Sequence, residues 1–586
     1  MLPTLTTSSL LLSCLNLGAL AALNGHCPPL GPVLPAPTQP GKHEAIPAAA
    51  TALRDILTQM TASYNNSAVA IGVKSIHETD LLFEYTYTPP NKDKRGVQEV
   101  DLDTVFRLGS LTKVFAPLAL LKLKDRGVSL DDPITKYVPE LRALKDQARE
   151  DSPVWTVEWD EVTLGSLASH MAGIPSDLIT DIAPFGDLSA YGYPKANSSK
   201  FLGCSGFFGT PACNKTIFFE HFGERPPPQV PFSPQTVYSN IAFPILSFAV
   251  EAITNQPFAD FVANEIWKPA NMTRTFATKP DDALGFIPAK DIWWPADLGF
   301  EGPEGGYFST ITDLHRLGDA ILQHKLLSPV QTRKWLKPVT ATSSSGLLVG
   351  QPWEIFRAEN VTSDGRLIEL YTKTGDLISY HSLLVLIPDY DLVATLLVAG
   401  PGGAGEASGS AMTLMMSRLV QTLLPAVEKA GKAEARAAYA GRYVDRDTNS
   451  TITLSLDDDE PGFKISSYVM RGVDVPATDP GSTLPPATVP RLDPPMRYRL
   501  YPTSANSGRG QTSWRAVGTR ATAADVEKQD GLFAWRMNSC ITWAMMDRVT
   551  FEFGARDHFV FDVQQGGKVK GVEAVGYGVR MKRECK

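Results

Sequence analysis

Ser110-Leu111-Thr112-Lys113 is the only S-x-x-K in the chain, and it sets a hydroxyl and an amine three residues apart. At the start of a helix two such side chains share a face, within hydrogen-bond reach. A serine hydroxyl becomes a nucleophile when a neighbouring base takes its proton, and a desolvated lysine can be that base. The helix N-terminus adds a partial positive charge that favours a developing oxyanion. Taken alone, the tetrapeptide reads more readily as a serine cap beside a solvated lysine. Two further motifs shift the balance. Tyr238-Ser239-Asn240 precedes an apolar run and supplies a phenol, a second proton shuttle, with an amide that both donates and accepts. Lys373-Thr374-Gly375, the only K-T-G, closes a strand-like run. Lys373 would stand beside Lys113, and two like charges in one cleft disfavour each other's charged form, so one amine is expected to be neutral near pH 7. Gly375 is expected to let a substrate backbone approach a strand edge. A competing Tyr-x-Asn, Tyr64-Asn65-Asn66, precedes the serine and overlaps a glycosylation triplet, and is read as a surface helix end.

The elements that must position these groups follow from periodicity. Leu53, Ile56, Leu57 and Met60 fall at helical spacing within 46–64, followed by strand-like runs at 69–76 and 81–87. A helix is expected from Ser110 toward Gly127, a natural stop, with others at 240–255, 258–268 and 310–322. Residues 176–234 lack periodicity and read as an irregular insertion, with Cys204 and Cys213 able to pair locally across it. The apolar runs 381–387 and 392–398 flank Pro388-Asp389-Tyr390-Asp391, a turn short enough for an antiparallel hairpin. A helix at 407–426 is followed by Lys429, Lys432, Glu434 and Arg436 among alanines, read as a linker. From 437 the texture changes to short β-like runs, so 437–586 is expected to be a separate antiparallel β domain.

The ordered triple resembles the serine β-lactamase and penicillin-binding-protein superfamily, in its class C, esterase and D-aminopeptidase branch, over residues 50–425. Phe106-Arg107-Leu108-Gly109, the stretch 167–174 and Gly305-Gly306-Tyr307-Phe308-Ser309-Thr310 look similar too. The resemblance implies Ser110 as nucleophile, Lys113 as its partner and Tyr238 as base or proton relay. It implies that Asn240 orients substrate and that Lys373, with Thr374 and Gly375, binds a substrate carboxylate or polarises the site. The oxyanion hole would be the N–H groups of Ser110 and Asp376. Position 376 departs from the many relatives with a small residue there; its amide suffices, while its carboxylate would disfavour anionic substrates. His170 is read as structural. The implied fold is α/β, an antiparallel sheet flanked by helices plus a helical lobe, over a hydrolase domain at 46–426. The trailing β domain looks like those appended to secreted fungal members.

Composition narrows the partners. The 586 residues are 43% hydrophobic and 20% charged, with a net charge of −8, so no basic surplus exists to neutralise phosphates and nucleic acid is not an expected partner. A small molecule or short peptide is the expected substrate. No CxxC or HExxH occurs, and neither metal nor cofactor is expected. Gly400-Pro401-Gly402-Gly403-Ala404-Gly405 mimics a dinucleotide fingerprint but lacks a parallel βαβ setting. The acidic run 457–462 lacks calcium-loop spacing and reads as a solvated turn. The absence of G-x-S-x-G argues against an α/β-hydrolase elbow.

The first 22 residues read as a cleaved secretory signal, with an apolar core and a small-residue cut site, leaving a secreted chain without membrane attachment. Six sequons, at Asn65, Asn197, Asn214, Asn271, Asn360 and Asn449, are glycan acceptors in such a pathway. Cys540 could pair with Cys585, leaving Cys27. The expected function is extracellular hydrolysis of an amide, lactam or ester through a seryl acyl-enzyme. An acyltransferase of the same chemistry, acting in secondary metabolism, and a non-catalytic binding protein are the alternatives.

Overall fold

Runs rich in valine, isoleucine, leucine and tyrosine build the strands. In chain order the first ten are β1 (Ala68–Ser75), β2 (Phe83–Tyr87), β3 (Phe106–Arg107), β4 (Phe308–Ser309), β5 (Thr340–Ala341), β6 (Leu347–Val349), β7 (Glu354–Ala358), β8 (Ile368–Leu377), β9 (Tyr380–Ile387) and β10 (Leu392–Ala399). Eight of them form one antiparallel sheet in the order β2-β1-β10-β9-β8-β7-β6-β5, while β3 pairs with β4 apart from it. The expected hairpin is β9–β10, with Ile387 opposite Leu392. The computed structural model describes residues 28–147, 153–178, 181–204, 210–478, 491–492, 495–506, 510–520, 541–544 and 546–584. The expected signal at 1–22, and Cys27, Cys540 and Cys585, lie outside the described residues.

Both faces of the sheet are covered, which is why its central strands read as unbroken apolar runs. On one face Val69, Ile71, Val385 and Leu396 pack against helices Ala45–Thr61 and Gly409–Tyr439. On the other, Ala68, Ala70, Leu384 and Leu397 join a larger core with helices Phe115–Lys122, Ala242–Thr254 and Ile311–Leu322. The insertion is irregular and clipped by a Cys204–Cys213 disulfide, as expected. It also holds an unforeseen helix, Lys215–His221, capped by the Asn214 side chain on Ile217 N–H, with Phe218 and Phe222 buried. Among the described residues no helix is long and apolar enough to cross a membrane.

The linker expectation is corrected: helix Gly409–Tyr439 runs unbroken through 427–436. Its charges are tethers. Lys432 is buried, donating to Asp458 O at 2.6 Å and pairing with Glu428 at 3.3 Å, while Glu428 accepts from Ser363 N at 3.0 Å. Glu434 accepts from Thr38 N and Gln39 N, and Arg436 pairs with Asp458. The acidic run 457–462 is therefore a docking loop, with Asp457 also holding Arg499 at 2.6 Å. A run of alanines and charges looks solvated only when the partners, distant in sequence, are left out.

Beyond the helix come β11 (Gly441–Asp445), β12 (Ser450–Ser455), β13 (Phe463–Met470), β14 (Val473–Asp474), β15 (Arg497–Asn506), β16 (Gln511–Thr519), a small ribbon of β17 (Thr550–Phe551) and β18 (Gly554–Ala555), then β19 (His558–Val563), β20 (Val569–Ala574) and β21 (Val579–Arg583). The order β12-β11-β21-β20-β19-β16-β15-β13 closes on itself through β13 and β12, making an antiparallel barrel. Closure removes the free edges that an open sheet would expose. Tyr439, the last helical residue, enters the barrel core against Trp514, with ring centroids 4.9 Å apart. Lys432→Met, which removes the donor to Asp458 O and leaves the buried Glu428 without its cation, should cost about 1–3 kcal/mol in urea unfolding; a loss under about 0.5 kcal/mol would show the tether to be incidental.

Candidate active site

Two glycines allow the site to form. Gly109, at φ +52°, turns the chain out of β3 into a tight 3₁₀ turn, Gly109–Val114, rather than the α-helical start expected at Ser110; the α-helix begins at Phe115. A Cβ on Gly109 would stand 2.8 Å from Asp376 N, and one on Gly375 only 1.9 Å from Leu108 O. The close approach that Gly375 permits is thus to the turn carrying Ser110, not only to a ligand. Ser382, opposite Gly375 on β9, donates its hydroxyl to Leu108 O at 2.5 Å and secures the contact. Arg107 steadies the turn from behind: it is buried, donates to Ala296 O at 2.7 Å and lies over the Phe308 ring. Burial lowers its guanidinium to about 10.

Lys113, fully buried, donates to Ser110 Oγ at 3.0 Å and to Glu304 O at 2.6 Å. Tyr238 arrives from the far side: Lys113 Nζ and Lys373 Nζ lie 5.3 and 5.5 Å from its ring centroid. The residue is 42% exposed as a whole, yet its hydroxyl end is enclosed. Burial alone would raise the phenol, but the two ammonium groups and the Ser110 hydrogen bond outweigh it and hold it below its usual range. His170, in the left-handed region at φ +58°, stacks under this ring with centroids 4.2 Å apart. Its Nδ1 accepts from Ser239 N–H at 3.1 Å; burial, then Lys373 and Lys113, keep the imidazole neutral, far below its ordinary value. His170 therefore braces Tyr238, a job the sequence did not reveal.

Lys373 is where expectation and structure part. Burial lowers its ammonium, but Glu354 Oε1 at 2.6 Å and the Tyr238 phenol more than reverse that, so Lys373 stays charged and is not the neutral amine. Glu354, on β7 opposite Thr372, also accepts from Thr374 N at 2.9 Å and Thr374 Oγ1 at 2.8 Å. A lone glutamate in an alternating strand carries no signal until the strand register is known. Asp376 bonds His381 Nδ1 at 2.9 Å; although burial opposes ionisation, that bond holds its carboxyl below the usual range. Asn240 donates to Asp177 Oδ2 at 3.0 Å, anchored on a carboxyl group rather than free. The competing triplet follows the end of helix Ala45–Thr61 with Asn65 exposed, as expected, but its Tyr64 is buried in the core.

Behind Lys113, Asp177, Glu301 and Glu304 each offer a carboxylate oxygen within 4.8 Å of the others. Both Glu301 oxygens and Glu304 Oε2 are buried without hydrogen-bond partners. Burial, with the adjoining acids, raises the carboxyls to about 10 for Glu301 and about 8 for Glu304, so both are protonated at neutral pH. Glu301 and Glu304 thereby add little negative charge beside Lys113.

A family model described as beta-lactamase matches residues 53–413, and a second, described as the C-terminal domain of beta-lactamase-like proteins, matches 431–585. The chain is 28% identical over 583 residues to a beta-lactamase-like protein of Arthroderma benhamiae, covering 93% of this chain and 94% of that one. It is 28% identical over 434 residues to a probable hydrolase of Phoma sp., covering 70% and 67%. Among solved structures, the octameric penicillin-binding protein homologue from Pyrococcus abyssi aligns over 91% of this chain and 99% of its own, at 15% identity and a TM-score of 0.46.

A carboxyl whose folded pKa is raised contributes stability that is complete below about pH 4.5 and is lost as pH climbs toward the folded value. Glu301→Gln should therefore match the wild type near pH 4.5 and exceed it by a margin that grows toward pH 8, at up to about 1.4 kcal/mol per pH unit. Unfolding curves at the two pH values decide this, and an advantage that does not grow with pH would refute the protonated cluster.

Proposed function

The chain belongs to the beta-lactamase family, and on that premise we propose that it is a secreted serine hydrolase that opens an amide, lactam or ester bond through an acyl-enzyme on Ser110. The single observation that supports this most is that Lys113 donates to Ser110 Oγ at 3.0 Å while the Tyr238 ring stands beside both amines, 5.3 Å from Lys113 Nζ and 5.5 Å from Lys373 Nζ.

In this reading Tyr238, its phenol lowered by the two lysines, takes the Ser110 proton as Oγ attacks the carbonyl. The negative charge on the tetrahedral oxygen falls to the N–H groups of Ser110 and Asp376. Collapse breaks the bond to the leaving group, which receives the proton from Tyr238. Water then attacks the acyl-enzyme with Tyr238 again as base, returning Ser110 and releasing the acid. Asn240 and Asp177 shape the wall beside the nucleophile, and the chain's own groups supply every proton transfer. Export is supported by the Cys204–Cys213 disulfide and by the exposure of all six sequon asparagines, which are accessible for glycosylation.

Intact-mass analysis after exposure to a p-nitrophenyl ester should show an acyl adduct on the wild type and none on Ser110→Ala, with turnover falling about 10³-fold or more; full activity of Ser110→Ala would overturn the assignment. The rate should rise with pH as Tyr238 ionises. Lys373→Ala removes a cation that favours the phenolate, so the rise should move to higher pH. A profile that does not move would place the base elsewhere.

A further inference from the structure

The donors that the Lys373-Thr374 strand could offer to an incoming carboxylate are already engaged. An ammonium has three N–H groups. Two of those of Lys373 go to Glu354 Oε1 at 2.6 Å and Thr374 O at 2.9 Å, and its Nζ lies over the Tyr238 ring, 5.5 Å from the centroid. Thr374 gives its backbone N–H to Glu354 Oε2 at 2.9 Å and its hydroxyl to the same oxygen at 2.8 Å. One internal carboxylate thus occupies the place of a substrate anion, held by one cation and two hydroxyl or amide donors.

We propose that Glu354 is a specificity-determining residue that restricts this cleft to acyl donors carrying no carboxylate next to the scissile bond, that is, neutral esters or amides. This rests on the seryl-hydrolase reading above. A carboxylate entering beside Lys373 would have to evict Glu354 from a pair whose lysine is only 1% exposed, or remain unpaired next to it. Asp376, 62% exposed three residues along β8 and paired with His381 at 2.9 Å, puts a second carboxylate near the end of that strand. Exposed apolar side chains flank the pair in sequence. Phe356, two residues along β7 and so on the face of Glu354, is 45% exposed, and Ile378, at the turn after Asp376, is 62% exposed. Strand pairing sets the device in place, since Glu354 faces Thr372 across β7 and β8.

The test uses two phenylacetate esters that differ by one carboxylate, those of phenol and of 3-hydroxybenzoic acid. The wild type should favour the phenyl ester by tenfold or more in kcat/KM. Glu354→Gln, which keeps the side-chain shape without its charge, should shrink that ratio at least tenfold by improving the carboxylate ester. The wild-type ratio is readable without any variant, so a poorly folding Glu354→Gln does not remove the test. Equal or better turnover of the carboxylate ester by the wild type would overturn the inference while leaving the Ser110 acyl-enzyme intact. Failure of both esters to acylate Ser110 would overturn the two together.

Discussion

Strand β8 lies against the turn bearing Ser110 so closely that neither Gly109 nor Gly375 has space for a methyl group. The approach is backbone to backbone, secured by the Ser382 hydroxyl on Leu108 O. It brings the K-T-G segment, in the last half of an inner strand of the eight-stranded sheet, against a turn that leads into the helical lobe. Without this contact Lys373 could not stand beside the turn bearing Ser110, and Asp376 N would not lie against Gly109. Sheet, lobe and insertion are scaffolds for this one junction.

Placing two buried lysines at that junction demands compensation, because burial penalises the charged forms of both. The compensation is uneven. Lys373 receives a full carboxylate from Glu354 and stays charged. Lys113 receives a backbone carbonyl and a hydroxyl, with protonated acids behind it. Tyr238 benefits from both, since its phenolate is the group that two nearby cations stabilise most directly. The neutral His170 stacked beneath it contributes shape without competing charge.

Helix Gly409–Tyr439 unites the two sheets by packing its first half on the large sheet and sending Tyr439 into the barrel. Its Lys432 and Glu428 bridge to the 363 and 458 loops, so the barrel is held by directed polar contacts as well as apolar ones.

Much of this was legible in the chain itself. Apolar period and turn residues marked the β9–β10 hairpin, the helices near 46–64, 240–255 and 310–322, and a C-terminal change to β structure. S-x-x-K, Y-x-N and K-T-G named Ser110, Lys113, Tyr238 and Lys373, because these chemistries need particular side chains at short spacing. What the chain could not disclose were pairings between residues far apart in sequence. Glu354 reaches Lys373 only through strand register, and Lys432 becomes a tether only when Asp458 folds onto it. Asp177, Glu301 and Glu304 form a cluster only after the insertion closes on the lobe. Periodicity and motif spacing report local order, whereas the charge state and selectivity of a crevice depend on which distant groups the packing brings within a few ångströms.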